Sequence, residues 1–261
     1  KNVKGLGIFL DKNKTKNDFI IQLFGDKNIL SKELEKNNIS DKKVKIIHTD
    51  SIVSDQETPL TAIKNSKNTS MWNSVSAQLN GNADISLSAG NTGVLLVISR
   101  MILKTMEKVS KPALAGLWPS KKDMSVVLDL GANIECDEKN LIDFSEMGAA
   151  LFKSIFPDQK PYLSLLNIGS EEIKGTEMLK KAFARLKELS NEENFIFKGY
   201  IEGNNLMEGD TNVIITDGFT GNVALKTAEG TAKFLTDSLK KSLTENIFSK
   251  FSIIFSYFSL K

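Results

Sequence analysis

The sequence predicts an α/β protein built around one wound, mostly parallel sheet. Short runs rich in Val, Ile and Leu alternate along its 261 residues with longer amphipathic segments, as in βαβ units. Three of these runs lead into glycine-rich polar turns that open helices: Ser88–Gly93, Gly169–Gly175 and Thr216–Asn222. Without an internal repeat or a low-complexity linker, the chain is expected to form one domain over residues 1–261, with residues 244–261 as an apolar helical appendage.

The expected elements follow from the spacing of the apolar residues. The first segment, Val3–Leu10, has the character of a helix or the end of one. Strands are expected at seven short runs: Phe19–Phe24, Val44–His48, Ile85–Ser88, Val126–Leu130, Tyr162–Ile168, Phe195–Tyr200 and Val213–Thr216. Helices are expected at four longer segments: Thr92–Glu107, Asn140–Phe156, Thr176–Leu189 and Thr220 to about Leu243. Apolar residues nearly encircle the first of these, which is typical of a helix in a core or in a subunit interface.

Composition and charge exclude several classes of function. With 34 Lys and Arg against 32 Asp and Glu, the net charge of +2 gives no reason to expect a nucleic-acid partner. One cysteine, Cys136, and one histidine, His48, exclude an internal disulfide framework and are too few for a structural zinc site. No metal and no cofactor are therefore expected. We expect no signal peptide, because no basic segment leads into a continuous apolar stretch at the start of the sequence. No run is long enough to span a bilayer, so we expect a cytoplasmic location.

The glycine-rich turns predict a phosphate site. Glycines let a backbone approach an anion closely, and the free N–H groups of a helix's first turn attract negative charge. At Asn91, Thr92 and Gly93, backbone N–H groups and a hydroxyl are available to phosphate. The alternative is that this turn is only a helix cap, while Ser88 before it is expected to be structural.

Five blocks of sequence resemble the phosphate acyltransferase family of bacterial phospholipid synthesis. They are Ala83–Gly93, Lys111–Pro119, Val127–Cys136, Leu166–Gly175 and Thr216–Gly230. The resemblance implies a three-layer α/β/α fold like that of phosphotransacetylases, and a homodimer. It also implies transfer of a long acyl chain from acyl carrier protein to inorganic phosphate. Members of that family usually begin with an Asp-Ala-Met-Gly-Gly-Asp loop that this sequence lacks, so part of the site is expected to lie outside it.

Lys174 and Asn222 are the catalytic candidates within the matched blocks. Attack of phosphate on a thioester requires a held dianion and donors aimed at the developing oxyanion, but no enzyme nucleophile. Lys174 can act as a point charge on either group, and the amide of Asn222 can orient phosphate or the carbonyl. The alternatives are a solvated salt bridge from Lys174 to Glu171 or Glu172, and a capping role for Asn222. We expect phosphate to bind where Asn91–Gly93, Lys174 and Asn222 converge.

Other polar residues have weaker claims to a role. Asp217, Asn133 and Glu135 are second-rank candidates, because they follow the ends of strands. Cys136 with His48 would permit a covalent route through an acyl-thioester on the enzyme. A lone cysteine behind a strand more often packs than reacts, so that route is the weaker interpretation.

The C-terminal stretch carries Phe248, Phe251, Phe255 and Phe258 at helical spacing. It is too short to span a bilayer and too apolar to remain in water, which favours either a buried or dimer-interface helix or an interfacial membrane helix. The family resemblance favours peripheral attachment to the inner face of the cell membrane.

Two other functions compete with acyl transfer. One is a dinucleotide-dependent dehydrogenase of related fold, against which no Gly-x-Gly-x-x-Gly follows a strand with an acid about twenty residues on. The other is a non-catalytic, membrane-docked binder of acyl carrier protein.

Overall fold

A computed structural model describes residues 2–16, 18–54, 56–58, 61, 64–190 and 195–244. The chain divides into two compact units, Lys1–Pro112 and Ala113–Lys261. The interpretation as one domain over residues 1–261 stays a prediction. The C-terminal phenylalanines and the appendage lie outside the described residues, apart from Thr244. Within the described ranges, no helix is long and apolar enough to cross a membrane.

The first unit contains four helices and two strands among its described residues. In chain order they are α1 (Asn2–Lys12), β1 (Ile21–Gly25), α2 (Lys27–Lys36), β2 (Val44–His48), α3 (Ser70–Leu79) and α4 (Thr92–Leu103). The two strands pair in parallel, from Ile21 opposite Val44 to Gly25 opposite His48. The buried core of this unit joins α3 to α4 and consists of Met71, Val75, Val94, Ile98 and Ile102. Because α4 supplies three of these residues, its glycine-rich start is anchored by packing.

The second unit contains a five-stranded sheet. Its elements are β3 (Gly116–Pro119), β4 (Met124–Leu128), α5 (Glu138–Ile155), β5 (Tyr162–Asn167), α6 (Glu177–Leu189), β6 (Ile196–Glu202), β7 (Val213–Ile215) and α7 (Gly218–Thr244). The strand order is β3-β4-β7-β5-β6, in which only the β3–β4 pair is antiparallel. The carboxyl ends of β4, β7 and β5 therefore lie side by side at one edge of the sheet.

Alternating side chains divide this sheet into two faces, since successive residues of a strand point to opposite sides. One face presents Val126, Leu128, Leu163, Leu165, Val213 and Ile215 to a core shared with α5 and α6. The other face presents Val127, Leu166 and Ile214 to a core that α7 covers with Ala224, Leu225 and Ala228. Helices on both faces of a mostly parallel sheet make the three-layer α/β/α arrangement that was predicted.

Helix α7 changes character along its 27 residues. Its first turns contact the sheet, where Gly218 and Gly221 are the residues that it buries. Farther along, Phe234, Leu235 and Leu239 are each more than half exposed. The start of α7 is thus fixed by the sheet, whereas its second half leaves an apolar stripe uncovered within the described part of the chain.

The structure corrects the expected elements in a few places. Residues Ile85–Ser88 form no strand, because the apolar Ile85 and Leu87 are 75% and 87% exposed and have no strand to pair with. Helices α2 and α3 and the antiparallel strand β3 were not predicted. The described strands also form two sheets, of two and five strands, rather than one. The remaining strands and helices lie where they were predicted, within a few residues at their ends.

Candidate functional site

Three loops of the second unit share the carboxyl edge of the sheet. They follow β4, β7 and β5, which are neighbours in the strand order. The first carries Asn133, the second leads into α7 with Asn222, and the third carries Lys174. Strand register places Leu128 and Leu165 opposite Ile215, so β4 and β7 end at the same level, and β5 continues two residues further to Asn167. This edge is where open α/β sheets bind ligands.

The loop after β4 is organised by the carboxylate of Asp129, which is fully buried. Its Oδ1 accepts hydrogen bonds from the N–H groups of Leu114, Gly131 and Ala132 at 3.0, 3.1 and 3.0 Å. Its Oδ2 accepts from the N–H and the side-chain amide of Asn133 at 2.7 and 2.8 Å. A buried carboxylate is tolerated only when its oxygens accept hydrogen bonds or face a positive charge. Here four of the five hydrogen-bond donors are backbone N–H groups.

The turn between β7 and α7 is packed against this loop. The backbones of Asp129 and Thr216 pair, since the Asp129 N–H donates to Thr216 at 3.0 Å. The Gly218 N–H donates to the carbonyl of Asn133 at 2.8 Å. A Cβ at Gly218 would overlap the backbone of Asn133, and one at Gly221 would overlap the carbonyl oxygen of Asp129. Both positions require glycine because the first turn of α7 lies directly on the β4 loop.

Asp217 is the cap of α7. Its Oδ1 accepts from the Thr220 N–H at 2.9 Å, and its Oδ2 accepts from the Thr220 hydroxyl at 2.7 Å. Its carbonyl accepts from the Gly221 N–H at 2.9 Å. Because a carboxylate caps this helix and the Gly218 N–H is engaged by Asn133, the start of α7 is less suited to an anion than one with a neutral cap.

Asn222 lies exposed on the first turns of α7. A Cβ at Gly131 would come within 2.6 Å of its Nδ2, so the amide lies against the Cα of Gly131. Gly131 has a φ of 129°, which favours glycine. The side chain of Asn222 makes no hydrogen bond within the described residues, and its amide remains available to a ligand.

Lys174 lies exposed in the loop after β5. Asn167, the last residue of that strand, donates from Nδ2 to the carbonyl of Lys174 at 3.2 Å and accepts from the Ile168 N–H at 2.8 Å. The stem of Lys174 lies beside Gly169, where a Cβ would come within 3.1 Å of its Cγ. Asn167 thus ties the far end of the loop back to the strand and fixes the backbone that carries the lysine.

The ion pairs of this loop leave the ammonium of Lys174 unengaged. Glu172 pairs with Lys187 of α6 at 3.1 Å. Burial raises the pKa of the Tyr200 phenol, and the charge of Glu172 raises it further. Within the described residues Lys174 forms no ion pair with Glu171 or Glu172. The alternative role of Lys174, a surface salt bridge to one of these two glutamates, is therefore not seen in the described part of the chain.

The turn at Asn91–Gly93 belongs to the first unit and begins α4. Asn91 caps that helix, accepting from the Val94 N–H at 3.1 Å, and its Nδ2 donates to the carbonyl of Glu57 at 3.0 Å. The N–H groups of Thr92 and Gly93 bond to no described residue, and Thr92 is exposed. The capping alternative therefore describes Asn91, while the N–H groups of Thr92 and Gly93 are unpaired within the described part of the chain. Convergence of this turn with Lys174 and Asn222 stays a prediction.

The remaining candidates have structural surroundings. Asn133 is part of the Asp129 network, and Glu135 is exposed in the same loop. Cys136 packs against the core shared with α5 and α6. His48, in the first unit, accepts from the Lys27 N–H at 3.1 Å and lies 2.9 Å from Asp50. Within the described residues no group of three or more His, Cys, Asp or Glu is placed to hold a metal ion.

Sequence reasoning missed Asp129 and Asn167. The available signal for Asp129 was a single acid inside the apolar run Val126–Leu130. For Asn167 it was an amide at the end of a buried strand, seven residues before Lys174. Both act on the backbones of loops that carry candidate catalytic side chains.

Comparison with known proteins gives a consistent result. A family described as "Fatty acid synthesis protein" matches residues 7–261. A phosphate acyltransferase of Pelagibacter ubique is 53% identical over 248 residues, covering 95% of this chain and 74% of that one. A phosphate acyltransferase of Caulobacter vibrioides is 40% identical over 222 residues, covering 85% of this chain and 61% of that one. The chain therefore spans between three fifths and three quarters of the length of these relatives.

Among solved structures, a phosphotransacetylase from Staphylococcus aureus, EutD, superposes with a TM-score of 0.62 at 15% sequence identity. It covers 88% of this chain and 80% of that one. At that identity the likeness supports the fold alone, and it agrees with the predicted phosphotransacetylase-like architecture.

Proposed function

We infer the function from the family: the chain belongs to the family described as "Fatty acid synthesis protein", and phosphate acyltransferases are among its relatives. We propose that it transfers an acyl group to inorganic phosphate. A phosphate oxygen attacks the carbonyl of an acyl thioester, and the carbon–sulfur bond breaks. The products are an acyl phosphate and a free thiol that takes up a proton. No enzyme nucleophile is needed, which agrees with the packed position of Cys136.

The observation that carries this proposal is the placement of Lys174 and Asn222 just after neighbouring parallel strands, β5 and β7. One supplies an ammonium without an ion pair among the described residues, and the other supplies an exposed amide. Together they offer the charge and the hydrogen-bond donor that the oxyanion of a tetrahedral intermediate requires. Asn167 and Gly131 hold the two groups in place through the contacts described above.

Phosphate is proposed to bind to the N–H groups of Thr92 and Gly93 and to the hydroxyl of Thr92. Two free N–H groups at the start of a helix attract an anion, because the helix dipole adds to their partial charges. Asn91 supports this arrangement by capping α4 with a neutral side chain, which adds no negative charge beside the anion.

Acyl carrier protein is the proposed donor and a long acyl chain the proposed cargo. The matching sequence blocks support both, and the net charge of +2 does not oppose docking of an acidic protein. A homodimer is also proposed. The uncovered stripe of Phe234, Leu235 and Leu239 on α7 is the kind of apolar surface that a second copy would bury.

Peripheral membrane attachment through Phe248, Phe251, Phe255 and Phe258 is proposed from the sequence pattern. Replacing Phe251 and Phe255 with Glu should release the protein from vesicles, since charged residues do not enter the acyl boundary. Activity on a soluble acyl thioester should remain near that of the wild type. Loss of dimers without any vesicle binding by the wild type would instead make this segment a subunit interface.

In the deciding experiment, the chain is incubated with acyl carrier protein that carries a long acyl group, with and without inorganic phosphate. Acyl phosphate is trapped as the hydroxamate, and thiol release is followed in parallel. Phosphate-dependent formation of both products supports the proposal. Thiol release that ignores phosphate, or binding without turnover, would contradict it, and oxidation of a nicotinamide would indicate the dehydrogenase instead.

A further inference from the structure

We propose that Asp129 is a positioning residue that fixes the catalytic amide of Asn222, an inference that rests on the proposed function. Asp129 touches no ligand position itself, because its carboxylate is fully buried. Its influence passes through the loop it gathers and the helix that rests on that loop.

The first step is the gathering of the loop. The two carboxylate oxygens accept from four backbone N–H groups and from the amide of Asn133. Among them is Gly131, at a φ of 129°. A chain segment in that conformation does not hold itself, so the Asp129 oxygens define where the Cα of Gly131 lies.

The second step is the contact with Asn222. A Cβ on Gly131 would come within 2.6 Å of Asn222 Nδ2 and 3.4 Å of its Cγ, so the Cα of Gly131 forms the floor under the amide. On the other side, Gly221 lies against the carbonyl oxygen of Asp129 itself. The surface beneath the Asn222 side chain is therefore set by the carboxylate of Asp129, and the residue before Asn222 rests on the backbone of the same residue.

The carboxylate form is required for this arrangement. An Asn at position 129 has one acceptor oxygen and one NH₂ donor, and the NH₂ would face N–H groups. Either the Oδ1 donors or the Oδ2 donors would lose their acceptor. The loop would shift, and the amide of Asn222 would lose its floor while the sheet beneath stayed packed.

The experiment is a double-mutant cycle of Asp129→Asn and Asn222→Ala in the full chain. Asp129→Asn should lower kcat by about tenfold or more, with the phosphate KM changed by less than about threefold. The double variant should be no slower than Asn222→Ala alone within about twofold, because both changes remove the same contribution. Deficits that multiply would overturn the proposal.

Two matched variants keep the test informative if Asp129→Asn folds poorly. Asn133→Ala removes the side-chain donor to Asp129 while leaving the four backbone donors in place, and should give a smaller deficit that is also non-additive with Asn222→Ala. Asp137→Asn alters another loop carboxylate, whose Oδ1 caps α5 by accepting from Asn140 at 2.8 Å, and should leave kcat near that of the wild type.

Hydrogen exchange supplies a readout that does not depend on activity. Asp129→Asn should speed exchange in residues 129–137 and also at the start of α7, whereas Asp137→Asn should affect only the start of α5. Unchanged exchange at the start of α7 would contradict the proposal even if acyl transfer is intact. A wild type that forms no acyl phosphate would instead contradict the proposed function and leave the exchange result to judge Asp129.

Discussion

Two glycine-rich turns that look alike in sequence begin helices with caps of different charge. At α4, Asn91 is a neutral cap, and the N–H groups of Thr92 and Gly93 have no partner among the described residues. At α7, Asp217 is a charged cap, and the Gly218 N–H donates to the carbonyl of Asn133, which leaves the Phe219 N–H without a partner among the described residues. The third and fourth N–H groups of both helices are bonded to the cap residue in the same way. The two turns therefore differ in one N–H group and in the charge of the cap.

The difference assigns different work to the two turns. An anion is attracted to free N–H groups at a helix start and repelled by a carboxylate placed there. We therefore propose the α4 turn for phosphate, while the α7 turn places Asn222 over the β4 loop. The presence of glycine does not by itself distinguish the two turns. Gly218 and Gly221 permit close packing of two backbone segments, and not the approach of a ligand.

The largest effect is expected from removing the side chain of Lys174 or of Asn222. Lys174→Ala and Asn222→Ala should each lower kcat by ~10²- to 10³-fold, as removal of an oxyanion donor does. Steady-state kinetics with saturating acyl thioester and phosphate measure this. Thermal unfolding should be unchanged, because both side chains are exposed.

Lys187→Ala is the matched control for the lysine. It removes an exposed cation of α6 that pairs with Glu172, and a surface pair of this kind contributes little. Its kcat should remain near that of the wild type. Equal rates for the Lys174, Asn222 and Lys187 variants would remove the second unit's loops from the mechanism.

The sequence was sufficient to locate these loops but not their internal contacts. Buried, β-branched runs such as Val213–Ile215 predict strands because apolar continuity is itself the cause of burial. The exposed Ile85 and Leu87 show the converse, since apolar character without a pairing edge gives no strand. Strand β3 was missed because four residues with a terminal proline carry little periodicity.

The sequence predicted which segments carry the candidate site residues, but not which hydrogen bonds those residues form. Lys174 lies in the loop after β5, and Asn222 lies in the first turns of the helix after β7, within the blocks that resemble the phosphate acyltransferase family. The roles of Asp217, Asn133 and Asp129 depend on which N–H groups point at which oxygen, and that is decided by tertiary packing. A pattern of residue types predicts donors and acceptors but does not pair them.

The next prediction concerns the packing of the first turn of α7 on the β4 loop. Gly221→Ala should destabilise the protein by about 1–3 kcal/mol, because its Cβ meets a backbone oxygen of Asp129 that has no rotamer by which to move away. Urea unfolding measures the change. Gly230→Ala is the control, since nothing lies within 4 Å of its Cβ in the same helix.

The control should behave in the opposite way. Removing an unneeded glycine from a helix interior stabilises it by up to about 1 kcal/mol. If Gly221→Ala were as harmless as Gly230→Ala, the first turn of α7 would not rest on the β4 loop, and the account of Asn222 placement would be wrong.

The cap of α7 should give the smallest effect. Asp217→Ala should cost about 0.5–2 kcal/mol through loss of its bonds to Thr220, whereas Asp217→Asn keeps an acceptor and should cost less. Thermal unfolding of the two variants measures the cap. A kcat that fell with Asp217→Asn while stability held would instead assign Asp217 a direct role with substrate.

The most direct test of the contrast between the two turns is the phosphate KM of Thr92→Asp compared with that of Asp217→Asn. An acid at the start of α4 suits the helix dipole, so Thr92→Asp should stay folded, yet its charge should raise the phosphate KM about tenfold or more. Asp217→Asn should leave that KM unchanged or lower it. A phosphate KM that is indifferent to Thr92→Asp and rises with Asp217→Asn would place the anion at α7 and contradict the account.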